Sequence, residues 1–395
     1  MLYWLVSQFE DAVYAYWAFA PLRVLDEIQF RVFAALVLAF AGVVLGGPAT
    51  IRQLKRMRIG DAGLSDAEAI AEHQMSKADT PTMGGALIAL TIGGATILLA
   101  DLTQFYVQMA LIVLLWMALV GGADDWLKLT AARRGANSRQ GLYSWEKLAF
   151  QLGIGLLVGY FAFRHGNTDA THDLPHVLNL PFQKTYVTPG YEPAPGLWFL
   201  PAGVFVLFAA LMIAGMSNAA NITDGMDGLA TGLSAIVSVG LVVLALVAGS
   251  EAAAQYLLVP HIVHADELAV VAGAMAGACL GFLWWNCAPA RVFMGDTGSL
   301  SLGGLIGYIA VITRQEIVVL IISGVMLAEI ASVAIQVGVF KATRAATGTG
   351  RRVFPIAPFH HALHLRQWKE EQVVVRLWII GVLCLVIGLV SVKLR

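Results

Sequence analysis

Five short polar segments stand beside long apolar runs in this sequence of 395 residues. They are SKADTPTMGG (76–85), GGADDWLK (121–128), SNAANITDGMDG (217–228), WWNCAPARVFMGDTGS (284–299) and PIAPFHHALH (355–364). Polar residues next to apolar sequence are costly to bury and usually mark a site or a pathway. Five such segments, predicted below to meet on one face, indicate an enzyme site better than a channel, whose polar residues would line the spans.

Asp124 and Asp125 are adjacent carboxylates at the end of the third apolar run. The carboxyl end of a helix carries partial negative charge, so two acids there are unfavourable unless a cation compensates. Lys128, one turn further on, supplies part of that compensation. The functional interpretation is that one aspartate handles a proton or a metal-bound phosphate, and the alternative is a solvated helix end.

Two pairs of polar residues in the segment 217–228 have a spacing of three. Asp224 and Asp227 form one pair, Asn218 and Asn221 the other, so each pair shares a face if the segment is helical. Amides and carboxylates in this pattern can read hydrogen-bond donors and acceptors on a nucleobase and ribose. A capped turn is the alternative, because Asn, Asp and Gly dominate turns.

Asp296 lies between glycines in FMGDTGS, directly before the eighth apolar run. Magnesium usually takes one or two protein carboxylates together with phosphate oxygens. Asp296 is therefore the best single metal candidate, although a helix N-cap would need no metal. Phe293 could stack on a base or could be an ordinary interfacial aromatic.

His360 and His361 follow a proline-containing loop and could bind pyrophosphate oxygens or transfer a proton. Two surface histidines without chemistry are the alternative. Glu329 lies inside the ninth apolar run, where an acid needs a partner. For Glu329 we predict a structural hydrogen bond to another span.

The elements that carry these residues are predicted from composition. Residues of the types AVILMFWYC make up 58% of the chain and charged residues 13%, with a mean hydropathy of +0.74, whereas about a quarter of a soluble domain is charged. A spanning helix needs about 20 apolar residues. Ten runs qualify, near 29–47, 82–100, 106–122, 148–164, 198–216, 229–248, 267–286, 299–313, 317–339 and 373–392. The chain 1–395 is thus predicted to be one all-α polytopic membrane domain.

Basic residues set the predicted orientation. Most of the 25 Lys and Arg residues lie in the loops before spans two, four, six, eight and ten, and positively charged loops stay in the cytoplasm. The five polar segments would then form a cytoplasm-facing active-site cleft, with the His-containing loop 341–372 on the same side. Residues 165–197 would be a periplasmic loop with a small hairpin or, alternatively, a solvated connector. Residues 1–28 are predicted to lie at the membrane interface.

Charge and cysteine content exclude other classes of protein. The formal net charge is −1, which gives no general electrostatic reason to bind nucleic acid, so no nucleic-acid partner is predicted. Cys279, Cys287 and Cys384 lack the spacing of zinc ligands. They are predicted to be small buried hydrophobes.

In this order and spacing, TPTMGG, DDWLK, SNAANITDGMDG, FMGDTGSL and PFHHALH resemble the phospho-N-acetylmuramoyl-pentapeptide transferase family, from about residue 29 to the C-terminus. The resemblance implies a homodimer with ten transmembrane helices in the bacterial inner membrane. It also implies Mg²⁺-dependent transfer of phospho-N-acetylmuramoyl-pentapeptide from UDP-N-acetylmuramoyl-pentapeptide (UDP-MurNAc-pentapeptide) to the membrane lipid undecaprenyl phosphate. Lipid I and UMP would be the products.

The resemblance further implies roles for single residues. Asp124 and Asp125 match the paired aspartates of the family, of which the first is the usual candidate for proton acceptor or nucleophile, and Asp296 matches the magnesium ligand. Positions that match the uridine and nucleoside-inhibitor pocket are Lys77, Asn221, Asp224, Asp227, Asn286 and Phe293. Positions that match other parts of the active site are Thr82, Lys128, Asn218, His360 and His361.

Three residues depart from the family pattern. Gln140 stands where a lysine normally precedes Gly-Leu, Ala362 replaces a third histidine, and His364 falls where an acid is common. The roles of that lysine and that histidine are therefore open here, although Arg139 or His364 could substitute.

Two other functions are compatible with parts of this pattern. A related transferase would move an N-acetylhexosamine 1-phosphate from a UDP-sugar to a polyprenyl phosphate, but TPTMGG and PFHHALH fit that branch less well. A transporter would also have ten spans and an intramembrane acid such as Glu329. It predicts charged or broken-helix positions near the middle of the bilayer, whereas most acids here lie in loops.

The predicted orientation can be tested by cysteine labelling. A membrane-impermeant thiol reagent added from outside should react with single cysteines placed in 165–197 and not with those in 341–370, because the bias of basic residues puts the second segment in the cytoplasm. Permeabilised cells provide the control, in which both should react. The opposite pattern in intact cells would contradict the orientation.

Overall fold

The computed structural model describes residues 1–9, 17–57, 80–134, 141–166, 174–187, 190–366 and 368–393 of the protein. These residues form α-helices, two short 3-10 helices at Trp17–Asp26 and Leu174–His176, and one two-stranded hairpin. The α-helices are α1 (Leu2–Gln8), α2 (Ile28–Arg56), α3 (Gly85–Leu99), α4 (Phe105–Arg134), α5 (Ser144–Gly166), α6 (Ala202–Thr223), α7 (Leu229–Gly249), α8 (Glu251–Leu257), α9 (Glu267–Asn286), α10 (Gly295–Ile312), α11 (Glu316–Ile322), α12 (Gly324–Thr347), α13 (Phe359–Leu365) and α14 (Glu370–Lys393).

Nine of the described helices are long and apolar enough to cross a membrane, namely α2, α4, α5, α6, α7, α9, α10, α12 and α14. The predicted all-α polytopic membrane protein is therefore confirmed. The remaining predicted span corresponds to α3, which is apolar but has only 15 residues. A total of ten spans stays a prediction, and it depends on this short helix.

Helix α10 lies at the centre of the bundle. Every residue from Asp296 to Ile312 is buried, because α3, α4, α6 and α7 pack around it. A helix that is apolar on all sides is stable only when neighbours cover it completely. The amino end of α10 carries Asp296, so the site described below is built on the most enclosed helix of the protein.

Helices α2 and α9 approach each other through glycines. Gly273, Gly277 and Gly281 lie four residues apart on α9 and face backbone atoms of α2. A side chain at Gly277 would overlap the carbonyl oxygen of Leu36. Spanning helices associate through such small residues because lipid offers no hydrophobic drive for their association.

The end of the bundle where α2 and α9 begin is tied by a buried ion pair. The guanidinium of Arg31 contacts both carboxylate oxygens of Glu267 at 2.7 and 2.9 Å, and both residues are buried. Arg31 also donates to the carbonyl of Leu99 at 3.3 Å. The pair therefore joins α2, α3 and α9 at this end.

The hairpin predicted within 165–197 is present. Strands β1 (Tyr186–Val187) and β2 (Glu192–Pro193) are antiparallel. The preceding segment is fixed to the turn between α10 and α11, because Arg314 donates to the carbonyl of Val177 at 2.9 Å and Asn179 donates to the carbonyl of Arg314 at 2.9 Å.

All three cysteines are free thiols. Cys279 is buried as predicted and Cys384 is partly buried, but the prediction is wrong for Cys287, which is exposed. Cys287 directly follows the last residue of α9, where the chain turns away from the helix core.

Replacing Gly277 should loosen the contact between α2 and α9. We expect Gly277→Val to lower the midpoint of thermal unfolding in detergent, because overfilling a packed contact typically costs about 1–3 kcal/mol. The matched control is Gly153→Val in α5, where the added side chain meets open space. Equal losses in both variants would contradict the contact.

Candidate active site

Three buried carboxylates from two helices form the centre of the site. Asp124 and Asp125 lie on α4 and Asp296 lies in the first turn of α10, and one oxygen of each lies within 4.8 Å of the others. Helices α4 and α10 can come this close because Gly121 has no side chain; a Cβ there would overlap the carbonyl oxygen of Asp296. Within the described ranges, these are the acids grouped closely enough to hold a metal ion.

The surroundings of Asp124 and Asp125 correct the sequence interpretation. Helix α4 does not end at these residues but continues to Arg134, so the argument from the helix dipole is wrong. Asp124 is completely buried and Asp125 is 4% exposed. The alternative of a solvated helix end is therefore wrong too, because the pair lies inside the bundle between α4 and α10.

Asp125 holds the beginning of α10. Its Oδ1 accepts from the backbone N–H of Asp296 at 3.0 Å, and its Oδ2 accepts from the backbone N–H of Thr297 at 2.9 Å and from the Thr297 hydroxyl at 2.7 Å. The first N–H groups of a helix have no partner within the helix, and Asp125 supplies one from another helix. The N-cap residue of α10 is Met294 and Asp296 lies inside the first turn, so the interpretation of Asp296 as a simple N-cap is wrong.

Two lysines balance the remaining carboxylates. The Oδ2 atom of Asp124 lies 2.7 Å from Nζ of Lys128 and 2.8 Å from Nζ of Lys147. The Oδ2 atom of Asp296 lies 3.3 Å from Nζ of Lys128 and also contacts Lys147. Buried charges need such paired contacts to be tolerated. Both ammonium groups therefore bridge the same two acids.

Lys147 is the site residue that the sequence analysis missed. It lies in the first turn of α5, outside all five polar segments. A lysine at the start of an apolar run looks like an ordinary interfacial residue, and the position of its Nζ between Asp124 and Asp296 becomes visible only when α4, α5 and α10 are packed together.

The turn before α5 also contacts the site. The backbone N–H of Leu142 donates to Oδ1 of Asp124 at 2.6 Å. Gly141 precedes it with a φ of +105°, and an added Cβ would lie 2.9 Å from the same oxygen. A left-handed backbone in close contact with a carboxylate favours glycine here. The departure at Gln140, and Arg139 as its possible substitute, lie directly before this turn, outside the described residues.

Helix α6 brings amide groups to the carboxylates. Asn221 donates to Oδ1 of Asp296 at 2.8 Å, and Asn218, one turn earlier, donates to Oε1 of Gln151 at 2.6 Å. Asp224 is the first residue after α6. Burial and then the negative charges of Asp296 and Asp125 raise the pKa of Asp224 to about 8.

Asp227 and Asn286 fix the loops beside the site. Asp227 accepts from the backbone N–H of Ala290 at 2.9 Å. Asn286 accepts from the backbone N–H of Gly228 at 3.1 Å and donates to the carbonyl of Val292 at 2.9 Å. Both side chains are buried, and together they hold the turn 224–228 against the loop between α9 and α10.

Thr82 and Phe293 lie on two segments joined by backbone hydrogen bonds. The N–H of Phe293 donates to the carbonyl of Pro81 at 2.8 Å, and the N–H of Gly84 donates to the carbonyl of Phe293 at 2.9 Å. The hydroxyl of Thr82 lies 3.0 Å from the position that a Cβ on Gly295 would occupy. Both Thr82 and Phe293 are partly exposed next to Asp296.

The two histidines differ in their surroundings. His360 is completely buried, with its backbone nitrogen and its Nδ1 each 3.2 Å from Oε2 of Glu329, whereas His361 is partly exposed. The surface alternative is thus wrong for His360. The predicted bond from Glu329 to another span is also wrong, because Glu329 contacts His360 of the short helix α13 instead. The loop after α12 folds back along α12, where Gln336 accepts from the N–H of Phe354 at 2.9 Å.

The described site residues therefore gather around the start of α10, and Lys77 lies outside the described part of the chain. Their individual catalytic and substrate-binding roles stay predictions.

Comparison with known proteins identifies similar chains over almost the whole length. Residues 107–314 match the model of glycosyl transferase family 4. The phospho-N-acetylmuramoyl-pentapeptide-transferase of Desulforapulum autotrophicum is 40% identical over 368 residues, which cover 93% of this chain and 94% of the relative. The proteins of the same name from Desulfotalea psychrophila and Psychrobacter arcticus are 38% and 39% identical over 378 residues, covering 96% and 95% of this chain and 97% of each relative.

Removing Lys147 should strengthen cation binding at the carboxylates. We expect Lys147→Met to bind Mn²⁺ about tenfold more tightly, because the repulsion between the ammonium group and a cation a few ångströms away is lost. Electron paramagnetic resonance of free Mn²⁺ measures this affinity, and Lys184→Met, an exposed lysine beside the hairpin, is the control. Unchanged affinity would mean that the cation is bound elsewhere.

Proposed function

The chain belongs to the phospho-N-acetylmuramoyl-pentapeptide transferase family, and we propose that it transfers phospho-N-acetylmuramoyl-pentapeptide from UDP-N-acetylmuramoyl-pentapeptide to undecaprenyl phosphate, giving lipid I and UMP. In this reaction an oxygen of the lipid phosphate forms a bond to the β-phosphorus of the UDP-linked substrate. The bond from that phosphorus to the bridging oxygen breaks, and UMP leaves with the bridging oxygen.

The observation that carries this proposal is the pair Asp124 and Asp296, bridged by Lys128 and Lys147. Phosphoryl transfer depends mainly on alignment and on neutralising the charge of the phosphates. Two ammonium groups held beside two carboxylates can neutralise pyrophosphate oxygens without moving far. The charge distribution therefore suits a substrate with two linked phosphates.

Magnesium fits the same group of residues. Hard oxygen ligands in a buried position are what Mg²⁺ prefers, and Asp296, with Asp124 beside it, would hold the ion. When bound, Mg²⁺ supplies electrostatic stabilisation of the charge that develops on the transferring phosphate. Asn221 donates to the Oδ1 atom of Asp296 at 2.8 Å and so fixes the orientation of the metal-binding carboxylate.

Asp124 is proposed as the proton acceptor for the lipid phosphate. Its Oδ1 accepts from the N–H of Leu142 and its Oδ2 contacts Lys128 and Lys147, so covalent attack by either oxygen on a phosphorus would have to break these contacts. Asp125 is fully used in holding α10. Direct attack by the lipid phosphate therefore fits these contacts better than an aspartyl intermediate.

The nucleoside end of the substrate is assigned to the turn after α6. Asp224 and Asn221 offer hydrogen-bonding groups, Asp227 fixes the turn, and Phe293 offers a partly exposed ring for stacking. Lys77 and Thr82 would contribute from the segment before α3. His361, partly exposed beside His360, is proposed to contact the pyrophosphate.

The lipid acceptor and the soluble nucleotide have to meet at a membrane surface. We place the protein in the bacterial inner membrane with this site facing the cytoplasm, because basic residues concentrate in the loops that carry the site. The homodimer is proposed from the resemblance to the family.

The reaction is tested by UMP release from purified protein with UDP-N-acetylmuramoyl-pentapeptide, undecaprenyl phosphate and Mg²⁺. We expect Asp296→Asn to lower turnover at least about 100-fold and to weaken the response to Mg²⁺, because an amide is a poor ligand for a hard cation. Asp266→Asn, before α9 and far from this chemistry, is the control.

Other substrates complete this experiment. UMP release from UDP-N-acetylglucosamine but not from the muramoyl substrate would assign the protein to the related branch. No release from either substrate would contradict the proposal.

A further inference from the structure

Glu329 is a buried acid inside the spanning helix α12. Its side chain has no exposed surface, and neither has that of His360, which it meets. A single carboxylate oxygen, Oε2, lies 3.2 Å from the backbone nitrogen of His360 and 3.2 Å from its Nδ1. An acid in a membrane helix is costly without a partner and usually serves a function. Here the partner is His360, which belongs to the polar segment 355–364.

The other edge of the His360 ring faces the turn 224–228. A Cβ on Gly225 would overlap Nε2 of His360, so the ring lies directly behind this glycine. Within the described residues neither ring nitrogen of His360 makes a hydrogen bond, so the ring meets Glu329 through the 3.2 Å contact between Nδ1 and Oε2. The imidazole therefore fills the space between Glu329 on one side and the turn that carries Asp224 on the other.

The backbone leading to His360 is fixed along α12. The side chain of Gln336 accepts from the N–H of Val353 at 2.9 Å, and the hydroxyl of Thr343 accepts from the N–H of Arg351 at 2.8 Å. These contacts hold the loop and leave the orientation of the His360 ring to its contacts with Glu329 and Gly225.

We propose that Glu329 is a positioning residue that acts through His360. By accepting from the backbone N–H of His360 and contacting Nδ1 of its ring with the same oxygen, it fixes the ring so that Nε2 supports Gly225 from behind and the turn 224–228 keeps its shape. The inference deepens the proposed function, since that turn is assigned there to the nucleoside. Glu329 itself touches no reacting atom.

Two substitutions separate hydrogen bonding from charge. Glu329→Gln keeps an oxygen at the same reach and removes the charge, whereas Glu329→Asp keeps the charge and withdraws the oxygen by one methylene. We expect Glu329→Gln to leave the KM for the UDP-linked substrate within about threefold of wild type. Glu329→Asp should raise this KM about tenfold, which is the size of effect seen when a residue that orients a functional histidine is changed. A role based only on buried charge gives the reverse order and would overturn the proposal.

A double-mutant cycle tests whether Glu329 acts through His360. His360→Ala should raise the same KM, and Glu329→Asp should add nothing further in that background, because coupled residues are not additive. Ser332→Ala is the matched control, since its hydroxyl donates to the Glu329 carbonyl at 2.7 Å and lies outside the contact with His360.

Fully multiplicative effects in the cycle would overturn the proposal, as would a KM that stays constant while only the active fraction falls. A wild-type protein that releases no UMP would instead contradict the proposed function. The two failures are therefore distinguishable in one set of assays.

Discussion

The arrangement of the site depends on the contact between α4 and the start of α10. Asp125 accepts three hydrogen bonds from Asp296 and Thr297, and Gly121 allows the two helices to touch. A helix start buried inside a membrane bundle has unpaired N–H groups that lipid cannot satisfy. Asp125 satisfies two of them, and this places Asp296 beside Asp124.

The same contact creates an electrostatic problem that the protein solves with lysines. Three carboxylates in a buried space repel each other, and the ammonium groups of Lys128 and Lys147 lie between two of them. These cations come from different helices, α4 and α5. In this group of alternating charges, the ammonium groups can pair with an anionic phosphate and the carboxylates can pair with a divalent cation.

Around this centre, several polar side chains bind neighbouring backbone segments and hold them in place, rather than facing a ligand. Asn286 and Asp227 hold the turn after α6 against the loop before α10, and His360 supports that turn from behind. Hydrogen-bonded buried groups such as Asn286 and Asp227 rigidify their surroundings. A fixed turn is useful where a nucleoside has to be recognised by a few amides and carboxylates.

The sequence by itself determined the membrane class, the approximate helices and most of the polar residues that the structure gathers around the start of α10. Apolar length and hydropathy are local properties, and acids beside apolar runs are visible without a structure. It could not determine that α4 continues past Asp125, because hydropathy falls where the helix enters the polar site while the backbone stays helical. Only the tertiary structure decided that Lys147 belongs to the site, that Asp125 holds α10 and that Glu329 meets His360. Each of these contacts joins residues distant in sequence, and their pairing depends on how glycine-lined helices pack, which no local pattern encodes.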